Sequence, residues 1–198
     1  MQKSKSRFNI YLISLIGVMS AVVFIVNFIS IPIPIVVGDV SRIHLGNAFC
    51  ILAGLLFGPV SGGLAAGIGS ALYDLTNPAY ASEFYITFLF KFVLGAVAGL
   101  IARGGKRKAA NWKLNLTGAI TGSVAYIILY LSKHYIQNFY LLGNTQQAVL
   151  ASLVTKAITS LVNAVIAVVI SMVLLPAFQL ALKQVSPLKR ADKSTDNT

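Results

Sequence analysis

Three apolar segments of this chain carry polar or aromatic side chains at spacings of three or four residues, which places each set on one helix face. The residue types indicate ligand binding: tyrosines stack on heteroaromatic rings, asparagine hydrogen-bonds to hydroxyls or ring nitrogens, and lysines receive anionic groups. Lysine inside a membrane span costs about 2.5–3.5 kcal/mol on insertion scales, so such lysines are candidates for function. The stripes are Glu83, Thr87, Lys91, Gly95 and Gly99; Gly118, Gly122, Tyr126, Tyr130 and His134; and Lys156, Ser160, Asn163, Ala167 and Ser171.

Each stripe changes from small residues at one end to large polar or aromatic residues at the other. Small residues let helices approach closely, whereas large side chains hold helices apart. The pattern therefore predicts a cavity at the polar end, which the loop charges assign to the outer half of the membrane. The candidate ligand contacts are Asp39, Arg42, Tyr85, Lys91, Tyr126, Tyr130, His134, Lys156 and Asn163.

Other interpretations of these residues stay open. Lys91 and Lys156 lie only about two turns inside the membrane, so both could extend to the lipid headgroups. Lys91 could instead neutralise Glu83, which lies on the same helix face. The tyrosines of the second stripe could be ordinary interface aromatics, and the asparagine of the third could form an interhelical hydrogen bond.

The composition predicts an all-α integral membrane protein. Of the 198 residues, 57% are hydrophobic and 11% are charged, against roughly 25% charged in an average soluble domain. These proportions argue against a soluble enzyme, a disordered chain and a nucleic-acid binder. A spanning helix needs about 20 apolar residues, and the apolar segments predict a six-helix bundle. They are Phe8–Ile29, Leu45–Phe57, Val60–Leu75, Phe84–Ala102, Leu116–Leu131 and Val149–Leu182.

The basic residues predict the orientation. The chain has 16 Lys and Arg against 5 Asp and Glu, a net charge of +11. Twelve of the basic residues lie before the first helix, between the fourth and fifth, and after the sixth. The positive-inside rule puts these segments and both termini in the cytoplasm. We therefore expect one membrane domain over residues 1–182, with a basic cytoplasmic loop at 103–113, and a basic polar tail at 183–198.

The segment 31–44 between the first two helices is predicted to be an outer lid. Pro32 and Pro34 favour extended backbone, and Gly38-Asp39 is typical of a turn. The segment is too apolar to lie in water, so it packs across the outer mouth of the bundle. It is either a plain connector or a lid over the cavity, with Asp39, Ser41 and Arg42 as polar contacts.

No motif predicts catalysis, a metal or a cofactor. The chain lacks a Walker sequence, so it does not hydrolyse ATP unaided. Ser70 follows Gly67-Ile-Gly69 but lacks the closing glycine of a serine elbow. The histidines and the single cysteine have no metal-ligand spacing. Two classes of function remain: a binding subunit, or a self-sufficient membrane protein such as an ion-coupled carrier or an intramembrane enzyme.

From about Phe8 to Leu182 the chain resembles the substrate-binding S components of energy-coupling factor (ECF) vitamin transporters, in the branch grouped with the riboflavin and hydroxymethylpyrimidine/pyridoxine types. The most specific segments are residues 44–49 (HLGNAF), 55–59 (LLFGP) and 62–75 (GGLAAGIGSALYDL). The resemblance implies six helices in a bacterial plasma membrane and an outward pocket under the first outer loop. It implies a transmembrane coupling subunit and two cytoplasmic ATPases as partners, with inward delivery by toppling of the whole S component.

The family typically carries an Ala-xxx-Ala patch on its first helix for coupling. Here Gly17 and Ala21 take those positions, which keeps the small-xxx-small geometry. The ligand is harder to predict, because one fold binds unlike vitamins. The pocket candidates favour a pyridoxine- or hydroxymethylpyrimidine-like vitamin, while riboflavin, cobalamin, pantothenate and folate stay open.

Overall fold

The computed structural model describes residues 10–34, 40–104 and 111–185. Within these ranges the apolar segments are helical, because a helix satisfies its own backbone hydrogen bonds where water is absent. The helices are α1 (Ile10–Val26), α2 (Gly46–Phe57), α3 (Pro59–Thr76), α4 (Phe84–Ala102), α5 (Trp112–Ile136) and α6 (Gln146–Val185), and the strands are β1 (Ser30–Pro34) and β2 (Val40–His44). A 3₁₀ turn, Ala81–Glu83, precedes α4, and a π-helical turn, Gln137–Leu141, continues α5.

The predicted helix ends agree best with the observed ends where the sequence contains strong stop signals. The predicted ranges of α2, α3 and α4 are within one residue of the observed ones. α5 is longer than its apolar segment at both ends. Asn111 caps its N-terminus by accepting a hydrogen bond from the backbone N–H of Lys113 at 3.0 Å, and polar side chains of its last turns face a cavity rather than lipid.

The all-α prediction is incomplete, because the segment between α1 and α2 contains a β-hairpin. β1 and β2 pair antiparallel, with Ser30 opposite His44 and Pro32 opposite Arg42. Proline lacks a backbone N–H, which confines it to edge strands, and β1 is one edge of this two-stranded sheet. Extended backbone was predicted here, but the pairing was not.

Among the described residues, three helical segments are long and apolar enough to cross a membrane. They are Ala81–Ala102, Trp112–Leu141 and Gln146–Lys183. Two further apolar helical segments, Leu12–Val26 and Gly46–Phe57, are shorter. Large apolar side chains such as Leu100, Val165 and Val173 are more than half exposed on these helices, as expected for faces that contact lipid.

Glycines bring α2, α3 and α4 into close contact. Gly58 has φ +86°, so the turn between α2 and α3 needs a residue without a side chain, and Pro59 starts α3 directly after it. A Cβ added at Gly54 would collide with the backbone of Gly95 on α4. Gly95, at the small-residue end of the first stripe, therefore lies in a helix–helix interface.

Gly54→Ala should lower the unfolding temperature by about 5 °C or more, since overpacking a core costs about 1–3 kcal/mol and neither backbone can move freely. Gly17→Ala is the matched control, because a Cβ there meets nothing within 4 Å. Thermal unfolding of the two variants in detergent measures the difference. Equal unfolding temperatures would contradict the close packing of α2 on α4.

Candidate functional site

A cavity of about 620 Å³ lies at the hairpin end of the bundle, under β2 and between α3, α4, α5 and α6. The polar ends of the three stripes meet there, while their small residues pack the other end. Gly118 and Gly122 of α5, for example, approach the backbone of α4. The cavity predicted from the stripes is confirmed. Polar groups from the stripes and the hairpin line it: Arg42, Lys91, Tyr126, Tyr130, His134, Lys156 and Asn163.

One of the nine candidate residues, Tyr85, lies outside the cavity. Tyr85 of α4 is 60% exposed, and its ring contacts Phe84. Two residues along a helix correspond to about 200° of rotation, so Tyr85 points away from the face of Thr87. Asp39 falls outside the described residues.

Lys91 of α4 is buried at the cavity wall rather than extended to the membrane surface. It is 4% exposed. Its ammonium group donates a hydrogen bond to Oδ1 of Asn47 on α2 and lies 4.3 Å from the ring centroid of Tyr126. These contacts contradict the headgroup interpretation.

Glu83 does not neutralise Lys91. Its Oε2 lies 2.6 Å from Nζ of Lys133 on α5, and its Oε1 accepts a hydrogen bond from Nε2 of Gln137 at 2.9 Å. The carboxylate thus ties the start of α4 to the end of α5. Pairing within one helix was the wrong interpretation, because the partner lies on a neighbouring helix.

Two stacked tyrosines of α5 form an aromatic wall of the cavity. The rings of Tyr126 and Tyr130 have centroids 6.0 Å apart and an angle of 12°. Lys156 of α6 is 2% exposed and donates a hydrogen bond to the Tyr130 hydroxyl at 3.1 Å. A lysine therefore stands at each end of the tyrosine pair, with Lys91 beside Tyr126.

Arg42 holds strand β2 against the end of α3. Its guanidinium lies 4.3 Å from the ring centroid of Tyr73 and 4.7 Å from that of Tyr80. Nη2 lies 3.5 Å from Oδ1 of Asp74. Cation–π contacts on two rings and an ion pair fix the position of this side chain.

Asn163 holds the same strand from α6. Its Oδ1 accepts a hydrogen bond from the backbone N–H of His44 at 2.9 Å, and its Nδ2 donates to the backbone C=O of Arg42 at 2.8 Å. The buried amide thus bonds to a strand. The interhelical hydrogen bond that the sequence left open for Asn163 is not the one observed. Arg42 and Asn163 together attach the hairpin to both sides of the cavity.

Two histidines in the cavity wall have different surroundings. His134 of α5 is within 3.0 Å of Ser152 Oγ and of Asn138 Nδ2, at opposite ring nitrogens. Burial, and to a smaller extent the charges of Lys91 and Arg42, lower the pKa of His44 well below its ordinary value. The His44 ring is therefore neutral at physiological pH.

Several lining residues were not predicted from the sequence, among them His44, Asn47, Asp74 and Asn138. A polar residue inside an apolar run was a usable signal at Asn47, which interrupts the second predicted helix near its start. The described residues contain no group of three or more His, Cys, Asp or Glu that could hold a metal ion.

A second, apolar groove of about 430 Å³ runs between α1 and α3. Gly17 and Ala21 form part of its floor, and Ile13, Ile68 and Leu72 border it. The three border residues are each more than a third exposed. The small-residue patch of α1 therefore opens onto a continuous apolar surface, which we call the α1–α3 groove.

The model for the family "ECF-type riboflavin transporter, S component" matches residues 7–180 of this chain. A solved S component of a bacterial ECF transporter superposes with a TM-score of 0.55 over 89% of this chain and 98% of its own, at 20% identity, so the fold is shared. A Pyrococcus woesei protein, described as an uncharacterized protein in gap 3′region, is 31% identical over 116 residues, which are 59% of this chain and 72% of that protein. The chain belongs to the family of ECF-type riboflavin transporter S components.

Proposed function

We propose that this chain is the substrate-binding subunit of an ECF-type importer and that it captures a water-soluble vitamin in the cavity under the hairpin. One observation carries the proposal: strand β2 covers a polar, partly aromatic cavity. Arg42 attaches the strand on one side of the cavity and Asn163 on the other. The cavity volume of about 620 Å³ falls within the range of about 300–1,000 Å³ typical of small-molecule sites. Such an arrangement suits a ligand that must be held while the subunit moves.

The ligand contains a heteroaromatic ring that stacks against Tyr126 and Tyr130. Their parallel rings offer a flat apolar surface, and the polar groups around it suit hydroxyls and ring nitrogens. A pyridoxine- or hydroxymethylpyrimidine-like vitamin meets this description. Riboflavin does so as well, and it is the vitamin that the name of the matched family specifies. Cobalamin, pantothenate and folate are further vitamins to include in the ligand screen.

All six helices cross the cell membrane, with both termini in the cytoplasm. α4 ends at Ala102, at the end of the bundle away from the hairpin, and Arg103 begins the basic loop 103–113 there. α6 ends at Val185 at the same end, and the predicted basic tail begins at residue 183 in its last turn. The positive-inside rule then puts the hairpin outside, so that the segment 31–44 acts as the outer lid of the single membrane domain 1–182.

The α1–α3 groove docks on the transmembrane coupling subunit of an ECF module. Gly17 and Ala21 let a partner helix approach closely, and the apolar rim residues add contact area. Two cytoplasmic ATPases supply the energy, and the subunit topples in the membrane to deliver the ligand inward. Ligand binding is the role of this chain, and ATP hydrolysis belongs to the partners.

Mass spectrometry of the small molecule retained by the purified chain tests the vitamin proposal. We expect one heteroaromatic vitamin at about one molecule per chain. Retention of none, together with failure to bind any vitamin named above in titrations, would contradict the proposed function.

Tyr126→Ala should weaken vitamin binding about tenfold, since loss of one aromatic stacking contact costs roughly 1.4 kcal/mol. Isothermal titration of the detergent-purified variant measures the change. Tyr85→Ala is the matched control, because the Tyr85 ring lies outside the cavity. Equal losses of affinity in the two variants would argue against the aromatic wall as the binding surface.

A further inference from the structure

The cavity lining has an excess of positive charge. Four basic side chains line it against two acidic ones: Arg42, Lys91, Lys133 and Lys156 against Asp74 and Glu83. Both acids already have ionic partners. Asp74 pairs with Arg42 and Glu83 with Lys133. The lining therefore has a formal charge of +2 before a ligand enters.

Lys91 belongs to this excess, is buried, and has no ionic partner among the described residues. Its direct contacts are the neutral amide of Asn47 and the face of the Tyr126 ring. An ammonium group has three donors, and within the described ranges one of them makes a hydrogen bond, to Asn47. Burial of a charge that lacks a counter-ion is costly, so a negative group next to Lys91 would be strongly stabilised.

Two further polar atoms in the same lining have no hydrogen-bond partner among the described residues. They are Nη1 of Arg42 and Nδ1 of His44. A guanidinium nitrogen can only donate. The neutral imidazole of His44, 6% exposed, can donate through Nδ1 when Nε2 is unprotonated. Leaving a buried donor unsatisfied costs about 1–3 kcal/mol, which a ligand with several acceptor oxygens would offset.

We propose that the ligand carries an anionic group, a carboxylate or a phosphate, and that Lys91, Arg42 and His44 bind this group. The inference rests on the proposed function and narrows its vitamin ligand to an acidic one. Pantothenate and folate carry a carboxylate, whereas a pyridoxine-, hydroxymethylpyrimidine- or riboflavin-like vitamin would meet this condition only in a phosphorylated form. Because the Lys91 ammonium lies 4.3 Å from the centroid of the Tyr126 ring, the anionic group and the stacked ring occupy adjoining parts of one cavity. Lys91 and Arg42 then donate charge-assisted hydrogen bonds to the acidic oxygens, and His44 donates a neutral one.

Thermal unfolding of the full chain in detergent tests the anion site without a known ligand. Inorganic phosphate and acetate are compared with chloride at equal ionic strength. We expect one of the two anions to raise the unfolding temperature by roughly 2–4 °C, as ligand linkage predicts for a chain of this size. A larger effect of phosphate assigns a phosphate group to the ligand, and a larger effect of acetate assigns a carboxylate.

Lys91→Met should abolish the stabilisation by the anion, because methionine keeps an unbranched side chain of nearly the same length and removes the charge. Lys113→Met is the matched control, since Lys113 is an exposed lysine in the first turn of α5 and does not line the cavity. Absence of stabilisation in the parent chain, or equal stabilisation in both variants, would overturn the anion site.

The identity of the retained molecule separates this inference from the proposed function. An acidic vitamin that binds at least about tenfold more weakly to Lys91→Met supports both, since tenfold corresponds to roughly 1.4 kcal/mol. A neutral vitamin bound equally by the parent chain and Lys91→Met would overturn the anion site and leave the importer role intact. Anion stabilisation without binding of any vitamin would contradict the proposed function alone.

Discussion

Asn163→Leu should accelerate release of the bound vitamin by about tenfold to thirtyfold, because two buried hydrogen bonds worth about 1 kcal/mol each hold the hairpin closed. The leucine side chain has the same branched shape as asparagine, although it is larger, and it offers neither the acceptor for the His44 N–H nor the donor for the Arg42 C=O. The hairpin then opens more often. Stopped-flow displacement of a radiolabelled or fluorescent vitamin measures the release rate.

The same experiment distinguishes a latch from a ligand contact. If Asn163 acts through the hairpin, the release rate rises for every vitamin that binds, including analogues that lack hydrogen-bonding substituents. Asn111→Ala is the control, because it removes one hydrogen bond at the opposite end of the bundle, from the N-cap of α5. Unchanged release from Asn163→Leu would show that β2 is not held by this side chain.

Ala21→Trp should abolish ATP-driven uptake and leave vitamin affinity unchanged. The indole would fill the floor of the α1–α3 groove, and a partner helix could no longer approach a small-xxx-small surface. The groove and the cavity are lined by separate sets of residues, so binding does not depend on position 21. Uptake by vesicles with the complete ECF module and titration of the isolated chain measure the two effects.

Val18→Trp is the matched control for the groove. Val18 is also exposed on α1, but it is one residue from Gly17, about 100° around the helix, and it does not line the groove. Uptake should persist in this variant. If Ala21→Trp still transports, or if Val18→Trp is equally inactive, the groove is not the docking surface.

Helix periodicity was sufficient to predict much of the site. Lys91, Tyr126 and Asn163 lie on different helices, yet the spacing of three or four residues around each one placed it on an inward face. The change from glycine to large polar residues along each stripe then located the cavity along the helix axis. Both signals are local, and local signals can be read from a single sequence.

What the sequence could not supply is pairing between distant elements. Asn163 bonds to a strand about 120 positions earlier in the chain, and Glu83 bonds to Lys133 rather than to the lysine on its own helix. Nothing in the local pattern distinguishes these partners from others with the same donors and acceptors. Tyr85 was predicted in error for a different reason. Its residue type suits a pocket, but its position on α4 turns the side chain away from the cavity.

Reconstituted uptake tests the central claim most directly. The purified chain is placed in liposomes alone, and together with a coupling subunit and two ATPases, and uptake of the retained vitamin is measured with and without internal ATP and with an ion gradient. We predict uptake only with the complete module and ATP. Uptake by the chain alone, driven by the ion gradient without ATP, would identify a self-sufficient carrier and contradict its assignment as a binding subunit.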